Sequence, residues 1–226
     1  MSQREEIIGR IREALRLVAQ SPGHRDAPDK NRPIGASPRD WLPSVPSDSE
    51  SQIEAFARCS ADLKTRFIQV NSLAEASAQV NKIGRAEGWN LVASHRAPIL
   101  EEALSNIGLP VLYIENTNAD PERADVGITG CDALVAQTGS ILLTARSAGG
   151  RALSVLPPHH LVIARESQVI ADLPAAFELL REIYGDNFPS FMTLITGPSR
   201  TGDIERIVVL GAHGPKTLTV ILVKNH

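Results

Sequence analysis

Apolar and polar positions alternate with different periods along the chain. In residues 1–20, Ile7, Ile11, Leu15 and Val18 recur at helical spacing among charged residues, which predicts an amphipathic helix. Six prolines between residues 21 and 50 prevent a helix and remove backbone donors, so we predict an extended arm or linker there. From residue 51 to residue 226, short apolar runs alternate with amphipathic stretches and predict one folded domain.

The alternation within residues 51–226 predicts an α/β fold. Helices are expected around 53–63 and at 72–87, 97–106 and 173–184, with strands at 67–70, 90–93, 110–114, 126–130, 161–164, 191–196, 207–210 and 217–223. Residues 133–137 and 140–144 flank a Thr-Gly pair that predicts a tight hairpin. Helices between strands favour βαβ units, so we predict a mixed, mainly parallel sheet flanked by helices, with an antiparallel portion late in the chain.

Four glycine-bearing bends lie between these elements, at residues 127–130, 138–140, 197–202 and 211–214. Glycine lets the backbone approach a ligand closely, and ligands of open α/β sheets bind at the carboxyl ends of the strands. If the bends share one edge, they form a polar rim around one pocket. The candidate ligand-binding residues are Gly130, Gln137, Thr138, Gly139, Ser140, Gly197, Ser199, Arg200, Thr201 and Gly214.

The third bend contains the most polar chemistry. The hydroxyls of Ser199 and Thr201 and the guanidinium of Arg200 are donors suited to a carboxylate or a phosphate. Asp203 and Glu205 are expected in the first turn of a short helix, where the helix dipole favours acidic side chains. Two alternatives stay open: a tight turn whose polar groups satisfy one another, and a structural pair between Arg200 and an acidic neighbour.

Two residues are candidates for catalysis. His213 lies between glycines and could act as a general acid or bind a carboxylate, with a hydrogen bond to its own turn as the alternative. Asp132 is a candidate base, and a helix cap is an equally good interpretation. His159 and His160 are adjacent, and neighbours in a strand point to opposite faces. No metal site is therefore predicted, and one of these histidines facing the pocket is the better-supported alternative.

Composition excludes several function classes. The net charge is −3 and there is no long basic run, so a nucleic-acid surface is not predicted. The charged N-terminal stretch and the lack of a long apolar run predict neither a secretory signal nor a membrane span. Two cysteines, Cys59 and Cys131, fit a reducing cytoplasm, which is the expected location. They cannot supply the four thiolates of an ordinary iron–sulfur cluster, so no cofactor is expected in this chain.

Five motifs together resemble the LUD domain family, and within it the lactate utilization protein C group. They are Thr129-Gly130, Ala136-Gln137-Thr138-Gly139-Ser140, Pro157-Pro158-His159-His160-Leu161, Gly197-Pro198-Ser199-Arg200-Thr201-Gly202-Asp203-Ile204-Glu205 and Gly211-Ala212-His213-Gly214-Pro215. The resemblance implies a fold like that of the ribose-phosphate isomerase, glucosamine-phosphate deaminase and CoA-transferase superfamily. It also implies a role in bacterial oxidation of L-lactate to pyruvate, alongside two iron–sulfur partner proteins.

One position departs from the pattern that the resemblance implies. Many LUD sequences have glutamate where Gln137 stands, and CoA-transferase relatives use a glutamate as their nucleophile. A neutral amide is neither a nucleophile nor a base near pH 7, so covalent acyl transfer at Gln137 is not expected.

Three functional hypotheses follow from the sequence. The leading one is a non-redox accessory subunit of an L-lactate-oxidising system, which binds a small anionic ligand while iron–sulfur partners hold the redox centres. The second is a stand-alone enzyme acting on a phosphorylated sugar, a folate or an acyl-CoA compound through Arg200, His213 and Asp132. The third is an assembly scaffold tethered by the N-terminal helix, and that arm could also form a homo-oligomer.

Overall fold

The structure, a computed structural model, describes residues 5, 44–116, 119–204 and 207–224, and only the backbone within 202–209. The helix predicted over residues 1–20 and the arm predicted over 21–50 lie outside these residues, apart from Glu5 and residues 44–50. The folded residues belong to one unit, Leu42–His226. No helix among the described residues combines the length and the apolar character needed to cross a bilayer.

Four α-helices, two short 3-10 helices (Pro121–Arg123 and Glu166–Gln168) and twelve strands lie within the described residues 44–224. In order, the α-helices and strands are α1 (Ser49–Asp62), β1 (Arg66–Val70), α2 (Leu73–Glu87), β2 (Val92–Ser94), α3 (Pro98–Leu104), β3 (Val111–Tyr113), β4 (Val126–Thr129), β5 (Ala133–Val135), β6 (Ser140–Thr144), β7 (His159–Arg165), β8 (Val169–Ile170), α4 (Leu173–Tyr184), β9 (Met192–Ile195), β10 (Arg200–Ile204), β11 (Ile207–Leu210) and β12 (Thr217–Val223). Asp48, Ser72 and Asp172 cap α1, α2 and α4 by accepting hydrogen bonds from backbone N–H groups.

The strands form three sheets. The largest has the order β1-β12-β7-β4-β2-β3, and all its neighbouring strands run parallel. A second sheet, β8-β5-β6-β9, contains two antiparallel pairs and one parallel pair, and β10 pairs antiparallel with β11. The predicted α/β class with a mainly parallel sheet flanked by helices is confirmed. The antiparallel pairing lies in the separate smaller sheets.

The elements stack in layers around the six-stranded sheet. Along β7, Leu161 and Ile163 face α2 and α3, whereas Val162 and Ala164 face α1 and the four-stranded sheet. This alternation is the period of two that a strand imposes on its side chains. Helix α4 covers the far face of the four-stranded sheet. One edge of the space between the two sheets is where the candidate site lies.

The segment after the third bend differs from its prediction. A short helix was expected to contain Asp203 and Glu205, but Arg200–Ile204 forms β10, so the helix prediction is wrong. Strand β10 pairs with β11 through Arg200↔Leu210 and Ile204↔Ile207. A helix this short would leave most of its backbone N–H groups without partners, whereas pairing with the following apolar strand satisfies them. Glu205 itself lies outside the described residues.

Candidate functional site

A cavity of about 210 Å³ lies between the six-stranded sheet and β9 of the four-stranded sheet. Its polar lining residues are Ser154, His160, Thr193, Ser199 and His213, and its apolar lining includes Val155, Phe191, Ile195 and Leu218. His160 and Leu218 are the second residues of β7 and β12 and are register partners. Because both strands are parallel, the cavity is at the amino edge of the large sheet.

The third and fourth bends meet at this cavity. Gly197 and Ser199 from the third bend, and His213 and Gly214 from the fourth, line it. Ser199 holds the two bends together, since its N–H donates to the carbonyl of Pro215 and its own carbonyl accepts from the N–H of Gly211, both at 2.9 Å. Four of the predicted site residues are therefore brought together in one place.

The hairpin between β5 and β6 supports the cavity from outside. Thr138 Oγ1 donates to Ser140 Oγ at 2.7 Å, and Ser140 Oγ lies 2.8 Å from Thr196 Oγ1, directly before the third bend. Gly139 has a φ of 65°, and a Cβ atom at this position would lie 2.7 Å from the backbone nitrogen of Ser60 in α1, which is too close. Gln137, Thr138, Gly139 and Ser140 are not among the residues that line the cavity.

Arg200 has a partner that the sequence did not indicate. Its Nη2 donates to the carbonyl of Leu63, the residue that ends α1. A cation is favourable at this position because the last carbonyls of a helix carry partial negative charge. Thr201 lies in β10 opposite Val209. Neither Arg200 nor Thr201 lines the cavity. The hydrogen bond from the Arg200 guanidinium instead links the third bend to the end of α1.

Gly130 and Asp132 lie at the opposite edge of the sheet, because they follow the carboxyl end of β4. Asp132 accepts hydrogen bonds from Ser147 Oγ at 2.5 Å and from the Tyr184 hydroxyl at 2.9 Å. The Tyr184 hydroxyl also lies 2.8 Å from Thr144 Oγ1. Asp132 is thus held in a hydroxyl network that joins α4 to the turn after β6.

The expectation that all four bends share one carboxyl-edge rim is therefore wrong. Three bends gather at the amino edge, and the first is at the carboxyl edge. The antiparallel strands explain this: β5 leaves the carboxyl edge, β6 returns to it, and β9 leaves it again toward residues 196–199. Each reversal moves the next bend to the other edge.

His160 is one of two buried polar residues that line the cavity, with 1% of its surface exposed against 3% for Ser154. Its Nε2 lies 2.9 Å from the Thr129 hydroxyl on β4, and its Nδ1 has no hydrogen-bond partner among the described residues. Burial lowers the pKa of His160 to about 3, so the imidazole is neutral at physiological pH. His159 points elsewhere and packs edge-on against Trp89, with ring centroids 5.5 Å apart.

No group of three or more His, Cys, Asp or Glu side chains is placed to hold a metal ion within the part of the chain that the structure describes.

The LUD domain family model matches residues 59–223, which is more than half of the chain. The chain belongs to the LUD domain family.

Several relatives of this LUD domain protein are similar over most of their length. Lactate utilization protein C of Deinococcus radiodurans is 32% identical over 200 residues, covering 85% of this chain and 91% of its own. Lactate utilization protein C of Bacillus velezensis is 35% identical over 238 residues, covering 93% and 94%. A crystal structure of a DUF162 family protein from Deinococcus radiodurans superposes with a TM-score of 0.60 at 26% identity, covering 79% of this chain and 99% of that one.

Sequence reasoning missed part of the site of this LUD domain. It considered His160 only as one of an adjacent pair, and it gave no role to Ser154, Phe191 or Thr193. A polar residue directly before the apolar run 161–164 was the available signal, because a buried histidine needs hydrogen-bond partners. Ser154 and Thr193 had no comparable signal, since the pairing of β9 with β6 brings Thr193 to the cavity.

Proposed function

We propose that this protein takes part in L-lactate utilization as a non-redox component and binds a small organic acid anion in the amino-edge cavity. The observation that supports this most is the similarity to two proteins named Lactate utilization protein C, 32% and 35% identical over most of both chains. The cavity adds chemical support, because a buried imidazole and two glycine-bearing bends converge on a space of about 210 Å³.

The size and lining of the cavity favour a short-chain acid. Pockets for drug-sized ligands measure roughly 300–1,000 Å³, so folate and acyl-CoA compounds exceed this space. None of its described lining residues is Lys or Arg, so only neutral donors would face an anion there, which disfavours a phosphate group of charge about −2 more than a singly charged carboxylate. Both facts weigh against the stand-alone enzyme for phosphorylated sugars, folates or acyl-CoA compounds.

The thiols of the chain support placing the redox centres elsewhere. Cys131 is buried, and desolvation raises the pKa of its thiol, which disfavours the thiolate that a cluster requires. Cys59 donates its thiol hydrogen to the carbonyl of Gln137 at 3.7 Å. In this proposal, iron–sulfur partner proteins in the cytoplasm perform the electron transfer and this protein presents or retains the acid.

Growth and co-purification test the proposed role. A strain lacking the gene should grow normally on glucose and poorly on L-lactate, and the wild-type gene should restore growth. Tagged protein from lactate-grown cells should recover proteins that contain iron and acid-labile sulfide. Unimpaired lactate growth of the deletion strain, together with isolation of the protein without iron-containing partners, would refute the proposal.

A further inference from the structure

The hydrogen bond between Thr129 and His160 couples the orientation of the threonine hydroxyl to the tautomer of the imidazole. The neutral ring has one N–H donor and one acceptor nitrogen, and its Nε2 faces the Thr129 hydroxyl at 2.9 Å. Both side chains are buried, at 0% and 1% exposure. A polar hydrogen left without an acceptor in such surroundings is costly.

Two arrangements of the pair are possible, and they differ in the hydrogens they leave unpaired. If Nε2–H donates to the Thr129 oxygen, the threonine hydrogen and the Nδ1 lone pair both lack partners among the described residues. If the threonine hydroxyl donates to Nε2, the Nδ1–H and the Thr129 oxygen as an acceptor lack partners among the described residues. Each arrangement leaves one hydrogen unpaired, but a carboxylate beside Nδ1 would pair with the Nδ1–H of the second arrangement and would repel the Nδ1 lone pair of the first, so a bound acid favours the second arrangement.

We propose that His160 donates its Nδ1–H to a carboxylate oxygen of the bound acid, with Thr129 as the positioning residue whose hydroxyl donates to Nε2 in this tautomer. This inference rests on the proposed ligand site and identifies His160 as the residue that binds the carboxylate there. An N–H donor paired with a charged oxygen makes a stronger hydrogen bond than a neutral pair. Recognition of this kind takes a small monocarboxylate and needs no proton uptake by the ring.

The rest of the cavity fits the same ligand class. Ser199 adds a hydroxyl at the third bend, and His213 lies exposed at the opening beside Gly214. Val155, Ile195 and Leu218 form apolar walls that suit the short hydrocarbon part of the acid. Ser154 Oγ donates to the carbonyl of Arg151 at 3.2 Å, so its hydrogen is already used. His160 is therefore the buried donor that remains for the carboxylate.

Two substitutions of His160 separate the roles of its nitrogens. In His160→Asn the amide nitrogen is as many bonds from the backbone as Nδ1, so a donor is kept near the cavity. In His160→Gln the amide reaches the place of Nε2, so the contact with Thr129 is kept and the Nδ1 donor is lost. Thr129→Val removes the positioning hydroxyl, and Thr129→Ser retains it.

Calorimetric titration with pyruvate and with L-lactate, with sodium phosphate as the comparison anion, measures the effect of each variant. We expect wild-type protein to bind both acids more tightly than phosphate. His160→Gln should weaken acid binding by about 10- to 100-fold, whereas His160→Asn should stay within about 5-fold of wild type. Nitrogen-15 NMR of the imidazole with saturating pyruvate should show the proton on Nδ1 in wild type and Thr129→Ser, and Thr129→Val should bind pyruvate more weakly because Nε2 loses its donor.

The outcomes distinguish this inference from the proposed function. Undiminished acid binding by His160→Gln, or a proton on Nε2 in pyruvate-bound wild type, overturns the inference and leaves the ligand site standing. A wild-type protein that binds no monocarboxylate overturns both the inference and the ligand part of the proposed function. Should His160→Gln fail to fold by circular dichroism, the wild-type NMR spectrum and the two Thr129 variants decide the question.

Discussion

The carbonyl oxygen of Leu153 occupies the place where a side chain on Gly127 would begin. Gly127 is the register partner of His160 on the neighbouring strand, and Ser154 follows Leu153 directly. The missing side chain on β4 thus allows the loop before β7 to lie against the sheet backbone. A position that looked like part of a ligand-binding bend in the sequence is a packing requirement for the cavity wall.

Gly127→Ala should destabilise the protein and weaken acid binding together. The added Cβ would overlap the Leu153 carbonyl, and overpacking of a buried site costs about 1–3 kcal/mol of unfolding free energy. Urea denaturation measures this change. Gly108→Ala is the matched control, because the nearest atom to its Cβ would be Asn81 Oδ1 at 3.9 Å. Equal stability of the Gly127 and Gly108 variants would contradict the proposed close approach.

Tyr184→Phe tests whether the network around Asp132 is structural. The substitution removes the hydroxyl that donates to Asp132 at 2.9 Å and lies 2.8 Å from Thr144 Oγ1. We expect a loss of about 1–2 kcal/mol in unfolding free energy, because a half-buried carboxylate loses one of its donors. Acid affinity should not change, since this network is at the carboxyl edge. A large loss of acid affinity with unchanged stability would restore Asp132 as a ligand or catalytic residue.

Stability should fall as pH falls below about 6.5. The pKa of His160 is near 3 in the folded state against 6.5 for an ordinary histidine, so the unfolded chain binds more protons between these values. The stability that this neutral histidine contributes to the unfolding free energy is fully present above pH 6.5. It is lost progressively toward pH 3, at up to about 1.4 kcal/mol per pH unit. Burial lowers the pKa values of His95 and His159 in the same direction.

His160→Asn isolates that contribution. The variant has no titrating group at this position, so its unfolding free energy should depend less steeply on pH between 6.5 and 4.5 than that of wild type. Urea denaturation at intervals of 0.5 pH unit measures both slopes, and the lower limit keeps most carboxylates ionised. Identical slopes would mean that His160 titrates alike in the folded and unfolded chains, contrary to its burial.

Arg200→Ala tests the role of the guanidinium. Because its Nη2 donates to the carbonyl of Leu63 at the end of α1, we expect a stability loss of about 0.5–1 kcal/mol. Acid affinity should change by less than about 3-fold, since Arg200 does not line the cavity. Arg200→Lys keeps the charge and is the control for a purely electrostatic effect. A loss of acid binding of 30-fold or more would show that Arg200 is the anion anchor that the sequence indicated.

Sequence periodicity predicted most of the elements of the folded domain. The Leu173–Tyr184 helix with its Asp172 cap, and the strands Ile207–Leu210 and Thr217–Val223, have the predicted bounds. Strand Val169–Ile170 was not predicted, because two residues cannot establish a period. Its pairing with β5 is a tertiary contact that leaves no local pattern.

The candidate site was predicted in part, for a related physical reason. Local chemistry correctly indicated Gly197, Ser199, His213 and Gly214 as neighbours, since each lies in a glycine-bearing bend. The edge on which they meet depends on how often the chain reverses between β4 and β9, and strand direction is set by pairing partners rather than by residue type. The partner of Arg200 is 137 residues away, so no local pattern could reveal it.

The central claim is that the amino-edge cavity holds a small carboxylic acid against His160. A crystal structure of the protein soaked with pyruvate tests this most directly. The claim predicts density for the acid between β7, β9 and β12, with a carboxylate oxygen within hydrogen-bond distance of His160 Nδ1. Density for pyruvate beside Asp132 at the carboxyl edge, with side chains filling the amino-edge cavity, would contradict it.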